Sequence, residues 1–328
     1  MEQSDIFKSV QDALREPPML LIGSGYSSSH NLPGMSALAK HLVSELDGKY
    51  SACSCWQTFR DNLEKGQDLE TALSGLTLSD DLLNDIRIKT WELISREDLA
   101  LFDRITYTHE ELPLSQLLKY LYRSQPQKID IITTNYDRLI EYACDAVNLP
   151  VNTGFTGYYS KHYTDYFPSK KSVNLIKVHG SLDVYRDEHN AVVSLPLQRE
   201  LPKGHLPEII TPGLSKYQAI LKGTPRLLLA KVDSVIRAAN AFLCIGYGFN
   251  DEQIQENIIQ KARAGTPIVL VTRSISEKTV RLLDNNAQRA ISICKDTKSD
   301  KTCFCINRER FYLDGRYWTV DGLMSIIS

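Results

Sequence analysis

The fold is decided by a stretch near the start of the chain that reads PMLLIGSGYS, residues 18–27. Its apolar run ends at Gly23-Ser24-Gly25, which is the pattern of a buried parallel strand that leads into a turn. The next segment, Met35 to Leu46, carries its leucines at helical spacing on one face. A strand, a glycine turn and a helix in this order favour an α/β fold with a parallel sheet.

The same alternation of strand and helix returns after residue 128. Strands are predicted at Ile129–Thr134, Asn174–Val178, Ala191–Leu195, Glu208–Thr211, Ala241–Ile245 and Pro267–Val271, with helices at Tyr136–Val147, 225–240 and 251–263. Such alternation implies parallel pairing through right-handed crossovers. We therefore predict an α/β fold built on a doubly wound parallel, Rossmann-like sheet, with ligands beyond the carboxyl ends of its strands.

Two further segments depart from this alternation. Residues 51–127 show helical periods rich in Leu, Glu and Asp and no buried strand, which predicts an inserted helical module. The Rossmann-like sheet domain then occupies residues 1–50 and 128–283. Residues 284–328 are predicted as a C-terminal extension, with a β-hairpin of Arg310–Leu313 and Tyr317–Val320 around Asp314-Gly315 and a short helix after it.

Composition and charge exclude several classes of function. The formal charge of -2 comes from 38 basic and 40 acidic residues spread along the chain, so no direct nucleic-acid binding is expected. No window reaches the roughly 18 apolar residues of a membrane span, and the first residues lack the apolar core of a secretion signal. The seven cysteines are odd in number, and two of them fall in apolar runs. A reduced, cytoplasmic setting fits this usage.

Two Cys-x-Cys pairs, Cys53/Cys55 and Cys303/Cys305, raise the question of a metal site. Neither pair has the gap of two to four residues that is usual in zinc knuckles. Together they would offer four sulfur ligands only if the fold brought them close. We therefore predict no metal.

Polar or glycine-containing segments follow four of the predicted strands. Gly23-Ser24-Gly25-Tyr26-Ser27 follows the first strand, where backbone N–H groups would suit a diphosphate. The alternative is a tight turn that binds no ligand. Thr133-Thr134-Asn135-Tyr136-Asp137 follows the second, and its Asx residues either face a ligand or cap the next helix.

His179-Gly180 ends a third strand, where a histidine suits a general base or serves as an ordinary structural residue. Gly246-Tyr247-Gly248 ends the fourth, and Asn250 or Asp251 is predicted to cap the helix beyond it. Thr272 ends a further strand, within reach of an adenosine ribose or simply as a strand end.

In this order the segments resemble the sirtuin superfamily, particularly the bacterial sirtuin-like NAD hydrolases of anti-phage defence systems. The opening glycine pattern and the Gly-Leu-Pro of that family are similar to residues 23–27 and to Asn31-Leu32-Pro33. Its Thr-x-Asn-x-Asp segment resembles residues 133–137, and its histidine segment resembles Val178-His179-Gly180. The resemblance covers residues 18 to 273.

The resemblance implies a role for each matching residue. Asn135 and His179 would be catalytic at the nicotinamide ribose, with Asp137 near the carboxamide. NAD as substrate would be bound by Gly23, Ser24, Gly25, Tyr26, Ser27, Pro33, Thr134, Gly246, Tyr247, Gly248 and Thr272. Two departures stand out: Asn31 replaces a glycine, and the paired Cys-x-x-Cys zinc module of the protein deacylases is missing.

The missing zinc module favours cleavage of NAD to ADP-ribose and nicotinamide over deacylation. The resemblance also implies an effector of anti-phage defence that depletes NAD, assembles as a homo-oligomer and docks a HerA-like ATPase. Two alternatives stay open: an NAD-dependent protein deacylase or ADP-ribosyl transferase, and a non-enzymatic sensor of NAD or ADP-ribose.

Overall fold

A computed structural model describes residues 1–125, 127–211 and 224–328. The part of the predicted sheet domain between 212 and 223 lies outside these residues. The described helices are α1 (Gln3–Ala13), α2 (Ser24–Ser29), α3 (Met35–Tyr50), α4 (Ser54–Glu64), α5 (Leu69–Leu73), α6 (Asp80–Thr108), α7 (Pro113–Leu121), α8 (Leu139–Asp145), α9 (Thr224–Ala238), α10 (Glu252–Arg263), α11 (Glu277–Asn286) and α12 (Val320–Ile327).

The strands form two sheets. They are β1 (Met19–Ile22), β2 (Lys128–Thr133), β3 (Val151–Asn152), β4 (Phe155–Gly157), β5 (Lys161–Tyr163), β6 (Ser172–Lys177), β7 (Gly180–Arg186), β8 (Val192–Ser194), β9 (Leu206–Ile209), β10 (Phe242–Ile245), β11 (Ile268–Thr272), β12 (Ala290–Lys295), β13 (Thr302–Ile306) and β14 (Glu309–Leu313). The larger sheet has the order β14-β13-β12-β11-β10-β1-β2-β6-β3, and the smaller has the order β4-β5-β8-β7-β9.

The larger sheet confirms the predicted α/β class. Every pairing from β12 to β3 is parallel, and only β13 and β14 join it as an antiparallel edge. Strand β1 alternates its side chains between the two faces: Leu20 and Ile22 pack against α1, α7, α8 and α12, while Met19 and Leu21 pack against α9 and α10. Helices therefore cover both faces, as in a doubly wound fold.

The smaller, antiparallel sheet corrects the sequence-based assignment of two strands. The predicted strands Ala191–Leu195 and Glu208–Thr211 correspond to β8 and β9, but both lie in this second sheet and pair antiparallel. Their alternating pattern identified them as strands without identifying their partners. One face packs on α6, where the Trp91 indole donates a hydrogen bond to the carbonyl oxygen of Leu182 at 2.8 Å.

Helices alone occupy the described chain from Ser54 to Leu121, as predicted for the inserted module. Helix α6 begins at a Ser79 cap followed by two aspartates, and it ends where His109 adopts a positive φ of 55°. Helix α3 also packs in this part of the molecule, because its leucines share a core with Trp56 and Phe59 of α4. The helical layer thus extends back across the predicted boundary at residue 50.

The predicted C-terminal hairpin is wrong in its pairing. Strand β14 pairs with β13, which precedes it, whereas Tyr317 and Trp318 lie in a turn before α12. The turn of the hairpin is Asn307-Arg308, and both residues have positive φ, 51° and 70°. Two consecutive positive φ angles are the requirement of a type I′ turn, which Asp314-Gly315 had wrongly been expected to supply.

Candidate active site

The four segments singled out from the sequence follow four neighbouring strands. In the sheet order β10-β1-β2-β6, parallel register aligns Ile245, Ile22, Thr133 and Lys177 at the same level. The segments that follow these residues therefore meet at one edge of the sheet. This edge is also where the chain order reverses across β1, which is the usual ligand position in open α/β sheets.

The two glycine turns of this edge interlock. The N–H of Gly23 donates to the carbonyl oxygen of Ile245 at 3.0 Å, and the N–H of Gly25 donates to that of Gly246 at 3.0 Å. A Cβ on Gly23 would stand 2.5 Å from the Gly246 oxygen, and one on Gly246, whose φ is +57°, would collide with the backbone N of Tyr26. Close backbone packing thus requires these glycines.

A buried hydrogen-bond network joins the first two segments. The Asn135 amide donates to Ser27 Oγ at 2.9 Å, and Ser27 Oγ donates to Asp137 Oδ2 at 2.6 Å. Asp137 Oδ1 also accepts the N–H of Leu139 at 3.3 Å at the start of α8. Helix α8 begins at Leu139 with Arg138 at its N-cap, so the expected capping of a helix from Tyr136 by Asn135 or Asp137 is wrong. The Asp137 side chain instead holds the network and contacts the first residue of α8.

Asp137 lies in a low-dielectric environment. Burial raises the pKa of its carboxyl group above the usual value, and the positive charge of Lys177 opposes that rise. The Lys177 ammonium is itself buried, where it donates to the backbone oxygen of Asp137 and to Glu141 Oε1, the latter at 2.9 Å. Burial raises the pKa of Glu141 as well.

His179 is held by a carboxylate that sequence analysis had assigned only to a helix cap. Its Nε2 lies 2.7 Å from Asp251 Oδ2, while Asp251 Oδ1 accepts the N–H of Ile254 at 3.4 Å at the start of α10. Because a carboxylate only accepts, the proton of a neutral imidazole sits on Nε2. Nδ1 is then the nitrogen left to accept a proton.

Gly180 lets the chain turn sharply after His179. Its φ is +88°, and a Cβ there would collide with the carbonyl oxygen of Glu208 on β9. The N–H of Ile210 donates to the carbonyl oxygen of His179 at 2.9 Å. The histidine is thus fixed between the parallel sheet and the antiparallel sheet.

A cleft of about 190 Å³ opens at this edge. Ten of the predicted residues line it: Gly23, Ser24, Ser27, Pro33, Thr134, Asn135, Asp137, His179, Tyr247 and Gly248. The other four do not line it, for reasons that differ. Gly25 and Gly246 pack against each other, the Tyr26 side chain lies in the core beneath α7, and the Thr272 hydroxyl donates to the carbonyl oxygen of Ser274.

The cleft has an acidic lining. Among the described residues its charged side chains are Glu70, Asp137 and Asp251, with no lysine or arginine. Glu70 comes from α5, so the helical module contributes to the site. Burial, together with the charge of Asp251, raises the pKa of the Tyr247 phenol.

Comparison with known protein families gives a match over part of the chain. Residues 130–289, just under half of the chain, are similar to the model of the SIR2-like domain family. A search of curated protein sequences gives no significant match.

Solved structures of Sir2 enzymes align with this chain, and one with a TM-score above 0.5 shows that the fold is shared. One, from work on the mechanism and regulation of Sir2 enzymes, aligns over 99% of this chain and 97% of its own with a TM-score of 0.52 and 13% identity. Another, from work on sirtuin substrate affinity, aligns over 88% of this chain and 93% of its own, with a TM-score of 0.45 and 13% identity.

Asn31 is a departure from the glycine pattern of the sirtuins that the sequence resembles. It stands where the family has glycine, and its φ is +65°. Asparagine is among the few residues that adopt the left-handed region readily. Asn31 therefore adopts the left-handed backbone conformation that a glycine would adopt, and Leu32 remains buried beside the cleft.

Sequence reasoning missed several lining residues, among them Glu70, Ile94 and Ile210. They come from the helical module and from the segment after β9, which lie far from the motifs in sequence. Asp251 was noticed only as a cap, although its spacing from Gly248 placed it near the same strand end. In the part of the chain that the structure describes, no group of three His, Cys, Asp or Glu side chains is arranged to hold a metal ion.

Proposed function

We propose that the protein hydrolyses NAD to ADP-ribose and nicotinamide, with Asn135 and His179 at the nicotinamide ribose and Asp137 near the carboxamide. The observation that carries this proposal is the composition of the cleft. A paired imidazole, a buried amide and three carboxylates converge there, and no cationic side chain is among the described lining residues.

The chemistry of the bond explains why an acidic cleft suits this reaction. When the nicotinamide bond loosens, the pyridinium becomes neutral and positive charge develops on the ribose. No acid is needed for the leaving group. Fixed carboxylates in a water-poor site stabilise such a developing cation without reorganising. Asp137 is buried, Asp251 is partly buried, and hydrogen bonds fix both side chains in place, so they meet this requirement.

His179 would act as the base that takes the proton of the attacking water. Asp251 fixes Nε2 as the protonated nitrogen and stabilises the imidazolium that forms, as the carboxylate of a catalytic triad does. The side-chain amide of Asn135 donates a hydrogen bond to Ser27 Oγ, and its carbonyl oxygen would orient a ribose hydroxyl or the attacking water.

The size of the cleft suits one end of the dinucleotide. Sites for complete small ligands usually enclose about 300–1,000 Å³, and this cleft encloses about 190 Å³. We therefore place the nicotinamide ribose in the enclosed part and the diphosphate near Gly23 and Ser24. The adenosine end would extend past Gly248 into the open part.

The decisive experiment is incubation of the purified protein with NAD and identification of the products. His179→Ala and Asn135→Ala should each abolish NAD loss while the fold is retained. His162→Ala is the matched control, because His162 lies exposed on β5 in the smaller sheet. Wild-type turnover in either cleft variant would overturn the assignment.

A second candidate function, transfer to an acceptor, is favoured by a separate cavity. A space of about 420 Å³ is lined by Val178 and Gly180, the two neighbours of His179, and by residues of β7 and β9. It would provide the acceptor cleft that a deacylase or an ADP-ribosyl transferase needs. Inclusion of an acylated peptide in the same incubation separates the functions, because transfer yields a modified or deacylated peptide.

The biological role that we propose is depletion of NAD in the cytoplasm as an effector of anti-phage defence. All seven cysteines are free, as in a reduced compartment. The proposal includes a homo-oligomer and a HerA-like ATPase partner, both supported by resemblance alone. Native mass measurement with and without the ATPase tests assembly, and phage challenge of cells with the His179→Ala variant tests the role. NAD binding without cleavage would instead indicate a sensor.

A further inference from the structure

Three cysteines share one face of the antiparallel edge of the larger sheet. Cys294 on β12 lies directly opposite Cys303 on β13, and Cys305 lies opposite Ser292. Cys303 and Cys305 are two residues apart on one strand, so they point to the same side. The opposite face of β13 carries Phe304, which packs in the core.

The register brings Cys294 and Cys303 within bonding range. Two residues along the ladder, the N–H of Asp296 donates to the carbonyl oxygen of its opposite residue Lys301 at 2.9 Å. Cys294 and Cys303 therefore also form a hydrogen-bonded pair, in which the Cα atoms are about 5.5 Å apart. Disulfides span Cα separations of roughly 4.4–6.8 Å.

The two thiols differ in acidity. Interactions with the neighbouring Cys294 and Tyr312 side chains and the charge of Arg310 lower the pKa of Cys303 to about 7. The contact with Cys303 and burial raise the pKa of Cys294. One sulfur is thus prepared as a thiolate beside a sulfur that stays protonated.

Both sulfurs face open space. Cys294, Cys303 and Cys305 line a cleft of about 1020 Å³ together with Arg310 and Tyr312. The two cysteines of the pair are only 8% and 7% exposed, which excludes bulky reagents more than small ones. This cleft shares no lining residue with the acidic cleft at His179.

We propose that Cys303 and Cys294 form a peroxide-reactive thiol pair that closes to an intrachain disulfide. The Cys303 thiolate attacks one oxygen of hydrogen peroxide and breaks the O–O bond, which leaves a sulfenic acid and, after protonation, one water. Cys294 loses its proton, attacks the Cys303 sulfur and displaces the hydroxyl as a second water. Two thiols are oxidised and one peroxide is reduced.

The expected advantage of Cys303 follows from its acidity. At pH 7 it is about 50 times more ionised than a thiol of pKa 9, and its lower basicity reduces the reactivity of the thiolate by roughly eightfold. The net gain is about sixfold. The disulfide should therefore form at Cys303 before an isolated thiol is oxidised.

The chain contains a matched control pair. Cys53 and Cys55 at the start of α4 have sulfurs 2.9 Å apart, but they flank a single residue and lack a neighbouring arginine among the causes of their acidity. The full chain is treated with hydrogen peroxide, alkylated after denaturation and mapped by peptide mass. Two of the seven cysteines should be protected from alkylation. The mass map should show a disulfide cross-link between the peptides that contain Cys294 and Cys303.

Three variants make the outcome decisive. Cys53→Ser with Cys55→Ser should keep the cross-link, and Cys303→Ser should lose it and should consume peroxide more slowly than the wild type. Cys294→Ser should leave a Cys303 sulfenic acid that dimedone traps. A cross-link confined to Cys53–Cys55, or a peroxide rate unchanged in Cys303→Ser, would overturn the proposal. None of these readouts requires NAD.

Discussion

Replacement of Asp251 by asparagine separates the two tasks of this carboxylate. Oδ1 caps α10 and Oδ2 bonds His179 Nε2. Asparagine caps a helix about as well as aspartate, so Asp251→Asn keeps the cap and removes the charge beside the imidazole. The loss of the negative charge at the helix start costs about 0.3–1 kcal/mol of the free energy of unfolding.

The effect on turnover should be much larger than the effect on stability. A hydrogen bond to a charged group contributes about 1.5–3 kcal/mol, and this one is needed when His179 becomes an imidazolium. At 1.36 kcal/mol for each tenfold change in rate, kcat should fall by roughly 10- to 150-fold. Since Asp251 would act through His179, KM for NAD should change less than kcat.

The assay is the initial rate of nicotinamide release at several NAD concentrations, beside urea denaturation of the same samples. Ser276→Ala is the matched control: Ser276 caps α11 through Thr279 as Asp251 caps α10, but it contacts no cleft histidine. Its kcat should stay at the wild-type value. Wild-type kcat in Asp251→Asn, or a loss of rate matched by unfolding, would refute the positioning role of Asp251.

Three further predictions concern the framework of the site. Gly180→Ala should lower the free energy of unfolding by at least about 1–2 kcal/mol, because its φ is positive and the methyl group meets backbone; Gly248→Ala, whose methyl group meets only a side chain, should be milder in urea denaturation. Asp98→Ala should lower the free energy of unfolding by about 3–5 kcal/mol in the same assay, because it leaves the buried guanidinium of Arg138 without its carboxylate partner. Asp137→Asn should gain stability relative to the wild type as the pH rises above the ordinary carboxyl pKa of about 4. Burial raises the pKa of Asp137, so the contribution of this group to stability is full below the ordinary value and is lost as the pH rises through the raised one. A stability difference that stays flat over that pH range would contradict the last prediction.

The strand ends of the site could be predicted because each depends on local sequence. A run such as Ile129–Thr133 is apolar and β-branched, and a polar residue must follow where it leaves the core. The order β10-β1-β2-β6 could not be predicted in this way. It depends on pairings between strands that are far apart in sequence, such as β1 with β10, and the pattern of a single strand carries no information on its partners.

The elements that escaped prediction have weak local signals. Strands β4 and β5 have three residues each and are partly exposed, so no alternation develops. The hairpin turn at Asn307-Arg308 has an arginine where a type I′ turn usually has glycine, while Asp314-Gly315 nearby offers the more familiar pattern. Tertiary pairing with β12 outweighs that local preference.

The interlocked turns change how the glycines of the site can be used as evidence. Gly-x-Gly after a strand is usually interpreted as room for a phosphate, yet Gly23, Gly25 and Gly246 are needed because two backbone turns touch each other. A side chain at any of these three positions would separate β1 from β10 and damage the fold before it affected a ligand. Loss of activity in such a variant therefore says nothing about NAD binding. Side chains that line the cleft without supporting the turns, Asn135 and His179 above all, are the positions at which a loss of activity reports on chemistry.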